Sequence, residues 1–189
     1  MMNRNSTQNL KRAWRFLGLF CLCAFFLMRA GMALAARGEE KSLAAAKAAY
    51  KAKNYSLAIK LFRPLAESGD AAAEGFLGRM YGNGRGVEKD YAKAVKWYRK
   101  SAEQGNAYGQ LDLGGMYANG QGVPQNYVEA YKWFALAGAQ GNADASTEMG
   151  NLSGKMTPDQ IAKAQELASS WKAVGQAAVP QSSGPTLKQ

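Results

Sequence analysis

Apolar residues recur at helical spacing through most of the chain beyond residue 40. Over 90–104, Tyr91, Ala94, Val95, Tyr98 and Ala102 stand at i, i+3, i+4, i+7 and i+11, the stripe of an amphipathic helix. Upstream, Ala73, Leu77 and Tyr81 stand at i, i+4 and i+8 and predict a helix over 71–81. Between them lies YGNGRGV at 81–87, whose three glycines in five residues end any helix. Gly84 and Gly86 there supply the positive φ that a chain reversal needs without the clash a Cβ would bring. Asp90 and Asn126 stand where N-caps of the second helix belong, and Gly105 and Gly141 where its C-terminal glycine belongs.

The pattern repeats. Residues 71–106 align with 107–142 without a gap and share sixteen identities in thirty-six, among them Leu77/Leu113, Gly78/Gly114, Tyr81/Tyr117, Gly84/Gly120, Gly86/Gly122 and Trp97/Trp133. Self-similarity at this period marks a stacked supersecondary unit whose apolar face needs neighbours to cover it. Gly78 and Gly114 sit inside the first helix, at a propensity cost of about 1 kcal/mol, which the ring of Trp97 or Tyr98 packing against the notch would justify. Tyr81, Tyr91, Trp97 and Tyr98, with their copies Tyr117, Tyr127, Trp133 and Phe134, occupy repeat positions and are expected in the core.

Degraded copies flank these units. Residues 36–70 carry a helix pair whose connection is five residues shorter, and 143–174 begin a further unit at ADASTEMG that lacks the glycine loop. There TPDQ offers Thr157 as N-cap, Pro158 at the first helical position and Gln160 to complete a capping box, predicting a last helix to about Val174. Four stacked helix pairs are expected, followed by a disordered Gly/Pro/Ser-rich tail at 175–189.

Charge changes this picture little. The chain has 24 basic and 14 acidic residues and a net charge of +10, but Arg4, Lys11, Arg12, Arg15 and Arg29 all precede residue 30. The remaining basic residues are scattered, which argues for a solvated surface over a phosphate-tracking groove and against nucleic acid as partner. Lys11, Arg12 and Arg15 precede an apolar run of thirteen residues, Phe16 to Met28, which Arg29 separates from ALA at 33–35. That order is an export signal at 1–35, directing the chain to the periplasm or outside; an uncleaved anchor running through Arg29 is the alternative. Cys21 and Cys23 both belong to this leader, so the chain after Ala35 has no thiol for a disulfide, a metal or a nucleophile.

Catalytic chemistry has little to work with. Histidine is absent, which removes the commonest general base and metal ligand. Glu88 and Asp90 flank a helix start and read as capping groups. Asp112 stands where the other repeat has Phe76, either at a solvated helix edge or as a contact for a basic partner residue. A carboxylate-dependent hydrolase would need two acids among Glu74, Asp112 and Glu148 to face one cleft. The glycine loops lack the GxxxxGK[ST] pattern of a phosphate cradle. No catalytic residue, cofactor or metal site is expected.

LGRMYGNGRGVEKDYAKAVKWYRKSAEQG and the copy after it, LGGMYANGQGVPQNYVEAYKWFALAGAQG, resemble the Sel-1-like repeat, a relative of the tetratricopeptide repeat. The resemblance implies an all-α solenoid of stacked antiparallel helix pairs that acts as an adaptor in protein complexes. It also implies that the first helices line a concave face, with Lys51, Ala72, Gly75, Arg79, Gly82, Asn83, Tyr108, Leu111, Gly115, Ala118 and Asn119 at the matching contact positions. Lys51, Arg79, Asn83, Tyr108, Leu111 and Asn119 are the expected partner-binding residues of a monomeric, non-enzymatic scaffold for another protein. An envelope module binding peptidoglycan or an anionic surface is the alternative. Removing Arg79 and Tyr108 together is expected to abolish capture and leave the thermal midpoint nearly unchanged.

Overall fold

The computed structural model describes residue 38 and residues 40–173, so the expected leader and tail lie outside the described residues. The chain divides into two units, Met1–Ala44 and Ala45–Gln189. In the first, residues 40–44 are helical and the Ser42 hydroxyl donates to the Gly38 carbonyl at 3.0 Å. All packing described below belongs to the second.

Each apolar stripe forms a helix. In order these are α1 (residues 40–51), α2 (Tyr55–Glu67), α3 (Ala71–Asn83), α4 (Tyr91–Glu103), α5 (Ala107–Asn119), α6 (Tyr127–Ala139), α7 (Ala143–Ser153) and α8 (Pro158–Ser170), and no strand occurs among the described residues. None of these helices is long and apolar enough to cross a membrane. The first helices run two residues past the expected Tyr81, because Gly84 and Gly120 end them in the left-handed region at φ 66° and 65°. Side chains cap the starts as the residue types require: Asp70 accepts from the Ala73 N–H at 2.7 Å, Asp90 from Lys93 at 2.8 Å and Asn106 from Gly109 at 3.0 Å. The bond from the Lys93 N–H, and then the Lys93 ammonium, hold the Asp90 carboxyl below its ordinary pKa. Thr157 and Gln160 form the expected capping box. Between α1 and α2 the reversal is shorter because one residue, Lys53, takes φ 62° without being glycine.

Helices pair as α3 with α4 and α5 with α6, and each second helix also packs on the next first helix. In addition α3 reaches α5 and α5 reaches α7, whereas α2, α4 and α6 scarcely meet one another. The first helices therefore lie on the inside of the bend. The result is an all-α solenoid.

Two contacts set the spacing inside the pairs. A Cβ added at Gly78 would lie 2.5 Å from the Tyr98 ring, and one at Gly114 would lie 2.6 Å from the Phe134 ring. Tyr98, not Trp97, fills the notch. The rings themselves are buried, at 5% and 2% exposure. A third contact joins successive units: a Cβ at Gly86 would lie 2.7 Å from the Tyr55 carbonyl, and one at Gly122 would run into the Tyr91 carbonyl. The glycine bends thus do more than reverse the chain, since each approaches the first residue of the preceding second helix.

A polar ladder runs beside the core. Gln104 Nε2 donates to Glu74 at 2.7 Å, and thirty-six residues on Gln140 Nε2 donates to Gln110 at 2.8 Å. Glu74 and Gln110 are both buried. Burial raises the Glu74 pKa, against the opposing pull of Lys100 and the Gln104 bond.

Two expectations are corrected. Helices α7 and α8 do not form a fourth hairpin like the others; α8 ends at Ser170, and both helices pack chiefly on α6, where Leu152 and Ala164 join one cluster with Tyr131 and Phe134. The short connection after Ser153 lacks the glycine loop that folds a second helix back along its first, and the apolar surface left on α6 at Tyr131 takes α8 instead. After α8 the chain brings Trp171 against Trp133, with ring centroids 5.9 Å apart at 73°. Trp133 is consequently buried, while Trp97, its copy on α4, is only half-buried with the Lys100 ammonium 4.6 Å from its ring. Tyr81, Tyr91, Tyr117 and Tyr127 are likewise half-buried and pack on the core from its edge.

Adjacent glycines in α5 give opposite predictions. Gly114→Ala forces a Cβ into the Phe134 ring and is expected to destabilise by about 2 kcal/mol, whereas Gly115→Ala meets nothing within 4 Å and is expected to gain up to ~1 kcal/mol from helix propensity. Urea unfolding of the two variants checks both signs. Glu74→Gln copies Gln110 of the next unit and is expected to raise the thermal midpoint at pH 7 by about 2 °C. A carboxyl with a raised folded pKa adds stability when protonated and loses it as pH rises through that pKa, so the gain should fade on acidification and vanish below the ordinary carboxylate range.

Candidate functional site

On α3 the side chains at 72, 75, 79 and 82 share one helical face, and on α5 those at 108, 111, 115 and 118 share the equivalent face. The opposite sides of both helices carry Leu77, Met80, Leu113 and Met116 into the core. What is left on the inside of the bend is a row of small residues broken by a few large ones, and three hollows open along it.

The first, about 470 Å³, lies between the N-terminal halves of α3 and α5 and is lined by Lys47, Ala72, Gly75, Phe76, Arg79 and Tyr108 among others. Toward the C-terminal ends of the same helices a second, about 640 Å³, is lined by Tyr50, Asn83, Arg85, Lys89, Asn119 and Gln121. Arg79 and Asp112 belong to both. The third, about 290 Å³, lies between α5 and α7 and includes Leu111, Gly115, Ala118, Asn119, Glu148 and Lys155. Of the expected partner-binding residues, Arg79, Asn83, Tyr108, Leu111 and Asn119 therefore line these hollows. Lys51 stands exposed at the end of α1 and lines none of the three.

Arg79 and Asp112 join neighbouring units. Arg79 Nε donates to Asp112 Oδ2 at 2.7 Å, and the guanidinium lies 5.7 Å from the centre of the Tyr108 ring. The two side chains keep 34% and 21% of their exposure, while Tyr108 is 62% exposed. Burial works against the charge on Arg79, but Asp112 more than offsets it and the Arg79 pKa is raised. Burial also raises the Asp112 pKa, with Arg79 pulling it back only in part. The basic group that Asp112 meets comes from its own chain. It is neither a solvated edge nor, in this arrangement, an open contact for a foreign cation.

Sequence reading in the first-helix register passed over Arg85, Lys89, Tyr50 and Gln121, which reach the second hollow from loops and from α1. Arg85 Nη1 donates to the Tyr50 hydroxyl at 2.6 Å. A usable signal was present: Arg85 and Lys89 are glutamines, Gln121 and Gln125, in the next unit. Tyr98 forms part of the same wall, its phenol pKa pushed upward by burial.

No two of the three acids Glu74, Asp112 and Glu148 share a hollow. Glu74 lines a separate one with Glu67, Glu103, Lys100 and Gln104, Asp112 is bound to Arg79, and Glu148 belongs to the hollow between α5 and α7. Among the described residues no three His, Cys, Asp or Glu side chains gather as a metal site requires.

The Arg79–Asp112 pair changes what truncation will do. Arg79→Ala strands a largely buried carboxylate and is expected to cost roughly 1 kcal/mol, the low end for a charged hydrogen bond because both groups keep some water. Tyr108→Ala is expected to stay within about 0.5 kcal/mol. The Arg79 penalty should shrink as pH falls through the raised Asp112 pKa, since a neutral carboxyl no longer needs the partner. Chemical denaturation of both single variants across pH measures each effect. The double variant is thus expected to lose about as much stability as Arg79→Ala alone.

The sequence matches the family model described as Sel1 repeat over residues 45–70, 71–106 and 107–142. No curated protein matches it. Among solved structures it is similar to a protective antigen present in uropathogenic Escherichia coli strains that displays an SLR fold, with a TM-score of 0.68 and 30% identity over 70% of this chain and 29% of the antigen. It is also similar to a Sel1 repeat protein from Oxalobacter formigenes, with a TM-score of 0.56 and 33% identity over 68% of this chain and 55% of that one. The chain thus spans under a third of the first and about half of the second. With three matched repeats covering more than half its length, a helix-pair stack of the same fold and a row of hollows on its inner side, the chain belongs to the Sel1 repeat family.

Proposed function

We propose that the chain is an exported, non-enzymatic and monomeric scaffold that binds another protein by receiving an extended segment of it along the first-helix face. Proteins of this repeat family typically serve as interaction scaffolds, and the finer reading rests on one observation. Ten of the eleven positions in the contact register, all but Lys51, line hollows that open on this single face. Gly75, Gly82, Gly115, Ala72 and Ala118 keep the floor low enough for a foreign backbone to approach, and Asn83 and Asn119 place amide groups beside it. A stacked scaffold is already ordered, so little conformational entropy is lost when the segment docks. Export is supported by the basic, apolar and small-residue order of the first 35 residues and by the lack of cysteine after them.

A photo-crosslinking residue tests the face directly. Replacing Tyr108 by p-benzoylphenylalanine is expected to trap a discrete partner from the envelope fraction. The same probe at Leu57, which is also exposed but lies on second helix α2, is expected to trap none. Crosslinks from Leu57 with silence from Tyr108 would move the interface to the other side of the stack.

A further inference from the structure

We infer that the hollow at the C-terminal ends of α3 and α5 is a subsite for acidic side chains, so that the partner segment carries aspartate or glutamate where it crosses this point. This rests on the proposed reading of the first-helix face and adds the partner's chemistry to it.

The charge count in the hollow carries the argument. Arg79, Arg85 and Lys89 line it, and Asp112 is the one carboxylate among its lining residues. Asp112 is already bound by Arg79 at 2.7 Å. Among the described residues neither Arg85 nor Lys89 has a carboxylate within 4.0 Å, including Glu88 beside them in sequence. The hollow therefore keeps a positive charge that no carboxylate among the described residues neutralises.

Aromatic rings hold these cations in place. The Arg85 guanidinium lies 5.6 Å from the Tyr50 ring centre and 5.5 Å from that of Tyr55, and the Lys89 ammonium lies 4.5 Å from that of Tyr91. A cation held against a ring gives up less rotamer freedom when a carboxylate arrives. Space is present as well, since nothing lies within 4 Å of where a Gly115 side chain would begin.

The next unit shows that this charge is local. Arg79, Arg85 and Lys89 correspond to Gly115, Gln121 and Gln125, so all three cations are lost thirty-six residues on. A bilayer or a nucleic-acid backbone would call for cations continuing along the face. A polypeptide with acids at one point along its length fits a face that is basic at one unit and neutral at the next.

Fluorescein-labelled hexaglutamate is the probe, with hexaglutamine, hexalysine and phosphatidylglycerol vesicles beside it, all titrated against the full chain by anisotropy or co-sedimentation. The expected result is binding of hexaglutamate alone among these, weakening as salt rises. Arg85→Gln with Lys89→Gln writes the next unit's own residues into this hollow, and Gly115→Leu fills it from an open helix position. Each is expected to weaken hexaglutamate binding roughly tenfold or more, equivalent to about 1.4 kcal/mol, with the circular-dichroism melt retained. Equal binding of hexaglutamine, no binding of hexaglutamate, unchanged affinity in both variants, or preference for the vesicles would each overturn the acidic subsite. The Tyr108 crosslink separates this from the broader reading: if it persists while hexaglutamate fails, the face stands and the acidic subsite falls; if it is absent, the face itself falls.

Discussion

An aromatic ring seated in a glycine notch is the constraint on which the rest of the structure depends. Tyr98 against Gly78 and Phe134 against Gly114 bring the two helices of each unit closer than any side chain at those positions would allow. Close pairing lets α3 reach α5 and α5 reach α7, while the second helices stay apart, and unequal spacing of that kind bends a stack. The bend then decides which side is concave. The notch costs helix propensity, and burial of a ring offsets it.

The functional face is what the core leaves over. Once Leu77, Met80, Leu113 and Met116 have turned inward, half of the contact positions left on α3 and α5 are glycine or alanine. Hollows form there for want of side chains. Three of the large groups on that side, Arg79, Tyr108 and Asp112, are linked to one another across two units. The bridge also means that a residue facing a partner can at the same time hold neighbouring repeats in register.

Positions kept between units and positions that differ between them serve different ends. The glycines of the loops, the notch glycines and the ring partners recur because each unit must solve the same packing problem. Glu74 and Gln110 show the limit of this rule: the hydrogen bond to the glutamine thirty residues on is retained, but only Glu74 carries the burden of a buried ionisable group. Arg79, Arg85 and Lys89 have no such recurrence, and they give one hollow cations where the matching positions of the next unit, Gly115, Gln121 and Gln125, are neutral.

Helices, caps, reversals and the repeat itself were legible in the linear pattern, because each depends on groups within about four residues or on a φ that only certain residue types take freely. Thus Asp90, Gly84 and the Thr157–Gln160 box stand where spacing alone puts them. Tertiary structure decided what depends on distance across the chain. It paired Arg79 with Asp112 thirty-three residues away. It laid α8 on α6 and not on α7, and it buried Trp133 beneath Trp171 while leaving the identical Trp97 half-covered. Identical residues in aligned repeats met different neighbours because one repeat is followed by a full unit and the other by the end of the stack. A local pattern states what a segment can bury, and only the assembled neighbours settle what covers it.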